Sequence, residues 1–430
     1  MSNLYTFTGG VRIRENMCER MAAKEPSSLL IPNEVEINIP EGARTSLKIG
    51  DRVLMGQKIC SDGSAFSSVS GEVIEIKYSD DLAASVVIKN DKADTPDPTL
   101  FPLSKKLTET TPDEIVEIIK RAGIVESNDG FSVAKRIGCA LGGAKRLLIN
   151  CTECEPFLAA RYKLILEHPT DVLNGAKILL LALEVAHADI LIEESRLDAI
   201  RVLEGVIGNN PLLRLRVTAT KHPQGDRRLV INSVTGKEPP VRETTAQLGY
   251  VVFSAEVCAD IFRAFASGMP QISRNITVAG DCILNPMVVN VRVGTRLSDI
   301  VEHCGGLDLD PAEIICGGVM KGHEIDPDLE YYVSSSDTAY IFLSEGYIGR
   351  RKSSACLRCG ICVSGCPMHL LPLYLAKQAE KGNIKKALAL GLKICIECGT
   401  CTYNCPGGVE HVYHIRRAKE AFNAERAKEE

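Results

Sequence analysis

The sequence predicts a multidomain protein of α/β and α+β character: a small β-sandwich or barrel first, then a parallel α/β domain, a compact α+β domain and a helical, cysteine-rich module. Three observations lead to that reading. The chain has 430 residues, and at roughly 150 residues per domain this is about three domains. Strand-like and helix-like stretches alternate between residues 112 and 208, the order that builds a parallel sheet covered by helices. Eight of the 17 cysteines fall between Cys356 and Cys405, which marks that segment as a unit with its own chemistry.

In chain order, residues 47–59 alternate apolar and polar side chains around Gly50 and Gly56, and residues 69–76 repeat the device, so short strands with glycine turns are expected. The pair resembles a biotinyl/lipoyl-type hammerhead. Residues 61–68 (SDGSAFSS) separate the halves and contain no lysine to modify, so the unit is expected to be scaffold and not a swinging arm. Residues 91–102 (DKADTPDPTLFP) read as a Pro/Asp-rich linker. A helix with an acidic first turn is expected at 112–122, a buried strand at 146–150, an amphipathic helix at 168–185 and a strand at 190–192. In parallel sheets, ligands sit beyond the carboxyl ends of strands. Cys151-Thr152-Glu153-Cys154-Glu155-Pro156 follows such an end. Residues 275–325 then read as a ββαβ unit, with strands at 276–280, 288–293 and 313–318 and a helix at 297–304.

Composition narrows the function. With 45% hydrophobic and 24% charged residues, disorder and coiled coil are excluded. Fifty Lys+Arg against 55 Asp+Glu give a net charge of -5, so nucleic acid is not an expected partner. The opening MSNLYTFTGG lacks the basic and apolar regions of a signal peptide, and a cytoplasmic location is expected, peripheral to a membrane only through partners. The apolar stretch 178–192 includes Glu184, His187 and Asp189 and falls short of the roughly 18 residues a bilayer requires, so no direct membrane span is expected. In the cytosol, clustered cysteines mean metal or redox chemistry.

The cluster has a pattern. Cys356, Cys359, Cys362 and Cys366 precede Pro367, and Cys395, Cys398, Cys401 and Cys405 precede Pro406. Both runs are C-x2-C-x2-C-x3-C-P, the spacing that ligates cubane clusters in two-cluster ferredoxins, where the fourth cysteine serves the other cluster. One [4Fe-4S] cluster is therefore assigned to Cys356, Cys359, Cys362 and Cys405, and the other to Cys395, Cys398, Cys401 and Cys366. Structural zinc is the alternative, but zinc ribbons pair two short knuckles across a long gap and have no use for three consecutive thiolates plus Cys-Pro. Between the runs, leucines and alanines at helical spacing around Gly382-Asn383 predict two helices joined by a turn. The charged segment 409–430 is expected to be a solvated terminal helix, with a docking helix as the other reading. Cys151 and Cys154 read either as a dithiol or metal-site fragment or as two small buried residues, the latter expected; Cys18, Cys60, Cys258, Cys282, Cys304 and Cys316 are expected to be ordinary.

Taken together these pieces resemble the RnfC family, which serves the Rnf ferredoxin:NAD oxidoreductase. The resemblance runs through Gly9-Gly10-Val11, the hammerhead, Glu153-Cys154-Glu155-Pro156, Lys221-His222-Pro223-Gln224-Gly225, Gly280-Asp281 with Asn285-Pro286, Gly317-Gly318 with Met320 and Gly322, and both cysteine runs. It implies an RnfC-type N-terminal hammerhead domain (1–100), a flavin/NADH-binding α/β domain like that of the complex I flavoprotein (110–265), an SLBB β-grasp domain (270–335), a dicluster ferredoxin-like domain (345–410) and a charged C-terminal helix (411–430). It also implies FMN and NADH as cofactors, with Gly130, Phe131, Glu153 and Glu155 as their candidate contacts. The family's nucleotide segment is of the kind GLGGxxFP, whereas here Glu126, Asn128 and Asp129 stand at glycine positions. Carboxylates there repel phosphate and side chains block its close approach. Arg161 likewise stands where the family carries an acidic residue.

The expected function is an RnfC-like relay that passes electrons through two [4Fe-4S] clusters between a reduced donor of NADH/flavin or ferredoxin type and a protein redox partner, either a reductase or membrane electron-transport subunits. The altered loop points to a specialised member such as the RnfC-like protein associated with proline reductase. The competing expectation is a non-catalytic assembly subunit whose clusters only bridge partners.

Overall fold

The first long helix begins where its sequence satisfies its own amide groups. Thr111 Oγ1 accepts from Glu114 N while the Glu114 carboxylate accepts from Thr111 N, and Pro112 fills the first helical position, where a missing N–H leaves nothing unsatisfied. The helix Pro112–Arg121 then buries Ile115 and Ile119 completely, at roughly 2 kcal/mol each. In the computed structural model, which describes residues 4–13, 29–79, 82–103, 105–127, 129–240, 243–349 and 354–429, this helix flanks a four-stranded parallel sheet.

That sheet runs Leu213–Thr218, Ala188–Glu193, Arg146–Asn150, Tyr250–Ser254, all parallel, as the alternation predicts. Its central strand Ala188–Glu193 is buried throughout, which suits a sheet covered on both faces. Asp189 on that strand is held by Arg146 and Arg216, each 2.6 Å away. The helices Pro169–Leu183 and Ala255–Ser267 cross so closely that a Cβ on Gly175 would lie 1.8 Å from the Cys258 carbonyl oxygen. Only glycine fits there.

Two further sheets flank this one. Residues 34–90 form an antiparallel sheet ordered Glu34–Asn38, Leu82–Asn90, Gly71–Ser79, Arg52–Val53. Of the short strands with glycine turns expected over 47–59, one forms, Arg52–Val53, and Gly50 and Gly56 turn the chain on either side of it with φ of 92° and 83°. The 273–343 region is larger than the ββαβ unit. Six strands run Leu29–Leu30, Met287–Arg292, Ser273–Gly280, Ala339–Leu343, Glu313–Cys316, His323–Ile325, with the helix Leu297–His303 packed into the core beneath them. The opposite face of this sheet, through Ala279, Ala339 and Ile341, joins the core of the α/β sheet.

Two expectations need correction. Residues 91–102 form no regular element, but they are a strap and not a loose linker: Asp94 pairs with Arg292 at 2.9 Å and Pro96 bridges to Met55. The first half of the terminal helix His411–Glu429 is packed on one side, and residues 421–426 are largely exposed. Ile415 and Ala418 are buried against Pro372–Glu380, and Arg416 and Lys419 are tied to the preceding module. The helices Pro372–Glu380 and Ile384–Ala389 form the hairpin expected between the cysteine runs.

Candidate functional site

Each cysteine run turns the same way. Arg358 and Glu397 adopt positive φ of 53° and 52°, Gly360 and Gly399 follow at 80° and 77°, and short helices Ile361–Ser364 and Thr400–Tyr403 begin at once. This geometry aims backbone amides at sulfur. Arg358 N and Leu370 N lie 3.4 Å from the sulfurs of Cys356 and Cys366, and Glu397 N and Val409 N stand equally to Cys395 and Cys405. The two halves thus repeat each other residue for residue, as an internal duplication of the motif requires.

The thiols gather into two cavities. One is ringed by Cys356, Cys359, Cys362 and Cys405, the other by Cys366, Cys395, Cys398 and Cys401. Each ring takes three cysteines from one run and the fourth from the other. Burial raises the Cys362 thiol, and the neighbouring thiols of Cys356, Cys359 and Cys405 add to that rise. Such crowding suits thiolates that share a cationic cluster. Zinc would draw its thiolates to about 2.3 Å from one point. A ring of four thiols around a cavity suits a cubane. Each ring has two buried cysteines, but Cys356 and Cys359 are exposed where Cys366 and Cys395 are only half-buried, so the second is the more buried ring.

A larger cavity, about 640 Å³, opens at the carboxyl ends of the parallel strands. It is walled by the parallel sheet, by the Cys316–His323 turn of the six-stranded sheet and by Ile396 of the cysteine module. Three contacts lock these walls together. Glu155 accepts from Met320 N at 2.8 Å; Arg416 Nη1 donates to Gly322 O at 3.0 Å; and Gly399 lies where a Cβ would meet Met320 O at 2.7 Å. The opening Gly9-Gly10 wedges beside them, with Gly10 N bonded to Gly365 O at 2.9 Å.

His222 links this cavity to the buried ring. Its Nε2 lies 2.7 Å from Cys398 O, a group that can only accept, so Nε2 carries the proton and Nδ1 accepts from the Cys154 thiol at 3.6 Å. Burial lowers His222 to about 4 and raises Cys154 to about 12, which keeps the pair neutral. Cys151 by contrast is packed in the core, and all described cysteines are free thiols; Cys18 and Asn128 lie outside the described residues. Of the cofactor contacts implied by resemblance, Glu153 and Glu155 line the cavity. Gly130 and Phe131 do not: Phe131 is exposed under the Arg136 guanidinium, whose centre lies 5.1 Å from the ring centroid. Arg227, Lys321 and Glu256 also line it, and no sequence signal singled them out.

A parallel α/β sheet fused to a two-cluster cysteine module defines an iron–sulfur electron-transfer protein. Residues 119–263 match the Nuo51 FMN-binding domain, 275–322 the SLBB domain and 355–410 a 4Fe-4S dicluster domain. The fold is shared with the NAD+-reducing [NiFe]-hydrogenase in its H2-reduced state, at a TM-score of 0.51 and 17% identity over 74% of this chain and 63% of that one. The RnfC-type component of the Na+-translocating ferredoxin:NAD+ oxidoreductase complex of Acetobacterium woodii is 32% identical over 394 residues, 87% of this chain and 88% of that protein. Its counterpart in the proton-translocating ferredoxin:NAD+ oxidoreductase complex of Clostridium ljungdahlii is 31% identical over 401 residues, 89% and 86% of the two chains. The chain belongs to the RnfC family.

Proposed function

We propose that the chain relays single electrons through two [4Fe-4S] clusters, one held by Cys356, Cys359, Cys362 and Cys405 and the other by Cys366, Cys395, Cys398 and Cys401, between protein partners of an Rnf-type membrane complex. The observation that carries this reading is the crossed composition of the two thiol rings. When bound, the clusters supply one-electron carriers with potentials between those of the partners. The chain's own residues do the rest. The amides of Arg358, Leu370, Glu397 and Val409 point at four of the eight ligand sulfurs, where they offset negative charge on thiolate. Leu375 and Ile415 keep water from the buried ring's side of the module. Exposed Cys356 and Cys359 bring the other ring to the surface, where a partner can approach. Among the described residues no helix is long and apolar enough to cross a membrane.

Four single substitutions test the crossing. In anaerobically prepared protein, Cys405→Ala and Cys359→Ala should leave the same surviving cluster spectrum, and Cys366→Ala and Cys398→Ala should leave the other. If Cys405→Ala instead matches Cys398→Ala, each run ligates its own cluster and the assignment fails.

A further inference from the structure

The cavity at the strand ends is where a nucleotide would bind a sheet of this kind, with its phosphate on a helix N-terminus. Three helices begin there, and each N-terminus is already met by a carboxylate of the chain. Glu153 accepts from the amides of Arg161 and Tyr162 at 3.1 and 3.0 Å, at the start of Ala160–Glu167. Asp226 caps Arg227–Thr235 by accepting from Arg228 N at 3.0 Å. Glu256 lies in the first turn of Ala255–Ser267, whose cap residue Ser254 accepts from Val257 N at 3.4 Å. The cations are spoken for as well. Arg161 is paired with Glu256 at 2.9 Å, Lys321 with Asp226 at 3.7 Å, Arg227 with Asp129, and Arg228 donates to Pro239 O and Pro240 O at 3.0 Å. In all, seven Asp and Glu side chains line the cavity against four Arg and Lys. A phosphate dianion entering it would meet helix N-termini and arginines already engaged by carboxylates of the chain, with Asp129 held ionised by Arg227 although burial raises Glu126, Glu153 and Glu155.

We infer that this chain's flavin-domain cavity is closed to phosphorylated cofactors, with Glu126 and Asp129, clamped by Arg136 and Arg227, occupying the phosphate's place, so that electrons enter and leave the clusters only through protein partners. Asp129 lies 3.3 Å from Arg136 and is ion-paired with Arg227, and Glu126 faces Arg136 at 3.9 Å. The residues present therefore do not fit FMN or NADH, although the fold is that of an FMN-binding domain. This inference rests on the relay reading but can fail separately from it.

The test uses the full chain, purified anaerobically with its iron and sulfide measured. Acid-extractable flavin should be far below one per chain, and NADH should leave the cluster absorbance unchanged while dithionite bleaches it. FMN near one per chain, or bleaching by NADH, overturns the inference and leaves the relay standing; absence of iron and sulfide overturns the relay instead. Replacing Glu126→Gln together with Asp129→Asn frees Arg136 and Arg227 and should tighten FMN binding, followed by flavin fluorescence, by roughly tenfold or more. A variant with the parent's circular dichroism and no gain in FMN affinity shows that these carboxylates are not the block. If the variant does not fold, the flavin content and NADH response of the parent chain still decide.

Discussion

Substituting Glu397→Gln should raise the midpoint potential of one cluster and leave the other in place. Glu397 sits between two ligands of the buried ring, two residues after Cys395 and one before Cys398. Burial opposes its ionisation, but hydrogen bonds and charge from Lys419 and Arg416 more than offset that and hold its carboxyl below the ordinary value, so it is anionic at neutral pH. A unit charge about 8 Å from a cluster, at an effective dielectric of about 20, is worth on the order of 2 kcal/mol against an added electron, or roughly 90 mV. Solvent at this half-buried site reduces that to about 45 mV if the effective dielectric is doubled. Glutamine keeps an acceptor oxygen for Lys419, which lies 2.6 Å away, and gives up the one for Arg416, which still donates to Gly322 O and Lys321 O. The assay is an EPR-monitored redox titration of both clusters under anaerobic conditions. The duplicated module supplies its own control: Arg358 occupies the position equivalent to Glu397 beside the exposed ring, and Arg358→Gln should lower the other wave, by less because Arg358 is solvated. Equal movement of both waves, or no movement beyond experimental scatter with Glu397→Gln, refutes the reasoning.

Other perturbations follow from packing and protonation. Gly175→Ala places a methyl 1.8 Å from Cys258 O and should destabilise the protein by about 3 kcal/mol or more, read as a lower melting temperature of the cluster-loaded protein; an unchanged value denies the close helix contact. Burial raises Glu153 from 4.5 to about 7, against the pull of Arg161 and two amides. The unfolded chain therefore releases this proton first, and stability contributed by the protonated form is lost as pH rises from 4.5 to 7, by at most about 3 kcal/mol. Glu153→Gln does not titrate, so its melting temperature should gain on the parent's across that window; a difference that stays constant or reverses contradicts the shift. Glu155→Ala removes the acceptor for Met320 N and should speed hydrogen exchange in the 318–322 turn while leaving strand Arg146–Asn150 protected.

How much of this was legible in the sequence depends on how local each feature is. The cysteine spacing pointed to the two groups of four that line separate cavities, because the turns of each loop are set by Gly360, Gly399 and their neighbours. The alternation around Arg146–Asn150 carried the parallel sheet, because continuous burial leaves a continuous apolar run. What escaped depends on long-range pairing. Ala339–Leu343 inserts beside Ser273–Gly280 in parallel register, and nothing in either segment names its partner. Leu29–Leu30 pairs with Met287–Arg292 in the same way. The helix caps inside the cavity escaped for a related reason: Glu153 precedes the amides it accepts from by eight and nine residues, outside any local capping pattern. The sequence did flag Glu126 and Asp129 as carboxylates at glycine positions, but the arginines that clamp them come from the neighbouring helix Val133–Gly138 and from the start of the distant helix Arg227–Thr235.

The central claim is that one chain holds two cubanes in crossed thiol rings. Its most direct measurement is the EPR spectrum of the anaerobically prepared, dithionite-reduced full chain, integrated against its iron and sulfide. The account predicts roughly eight irons and eight sulfides per chain and about two unpaired spins, broadened by mutual coupling as neighbouring clusters require. Stoichiometric zinc with no cluster signal, or a single isolated cluster, would contradict it.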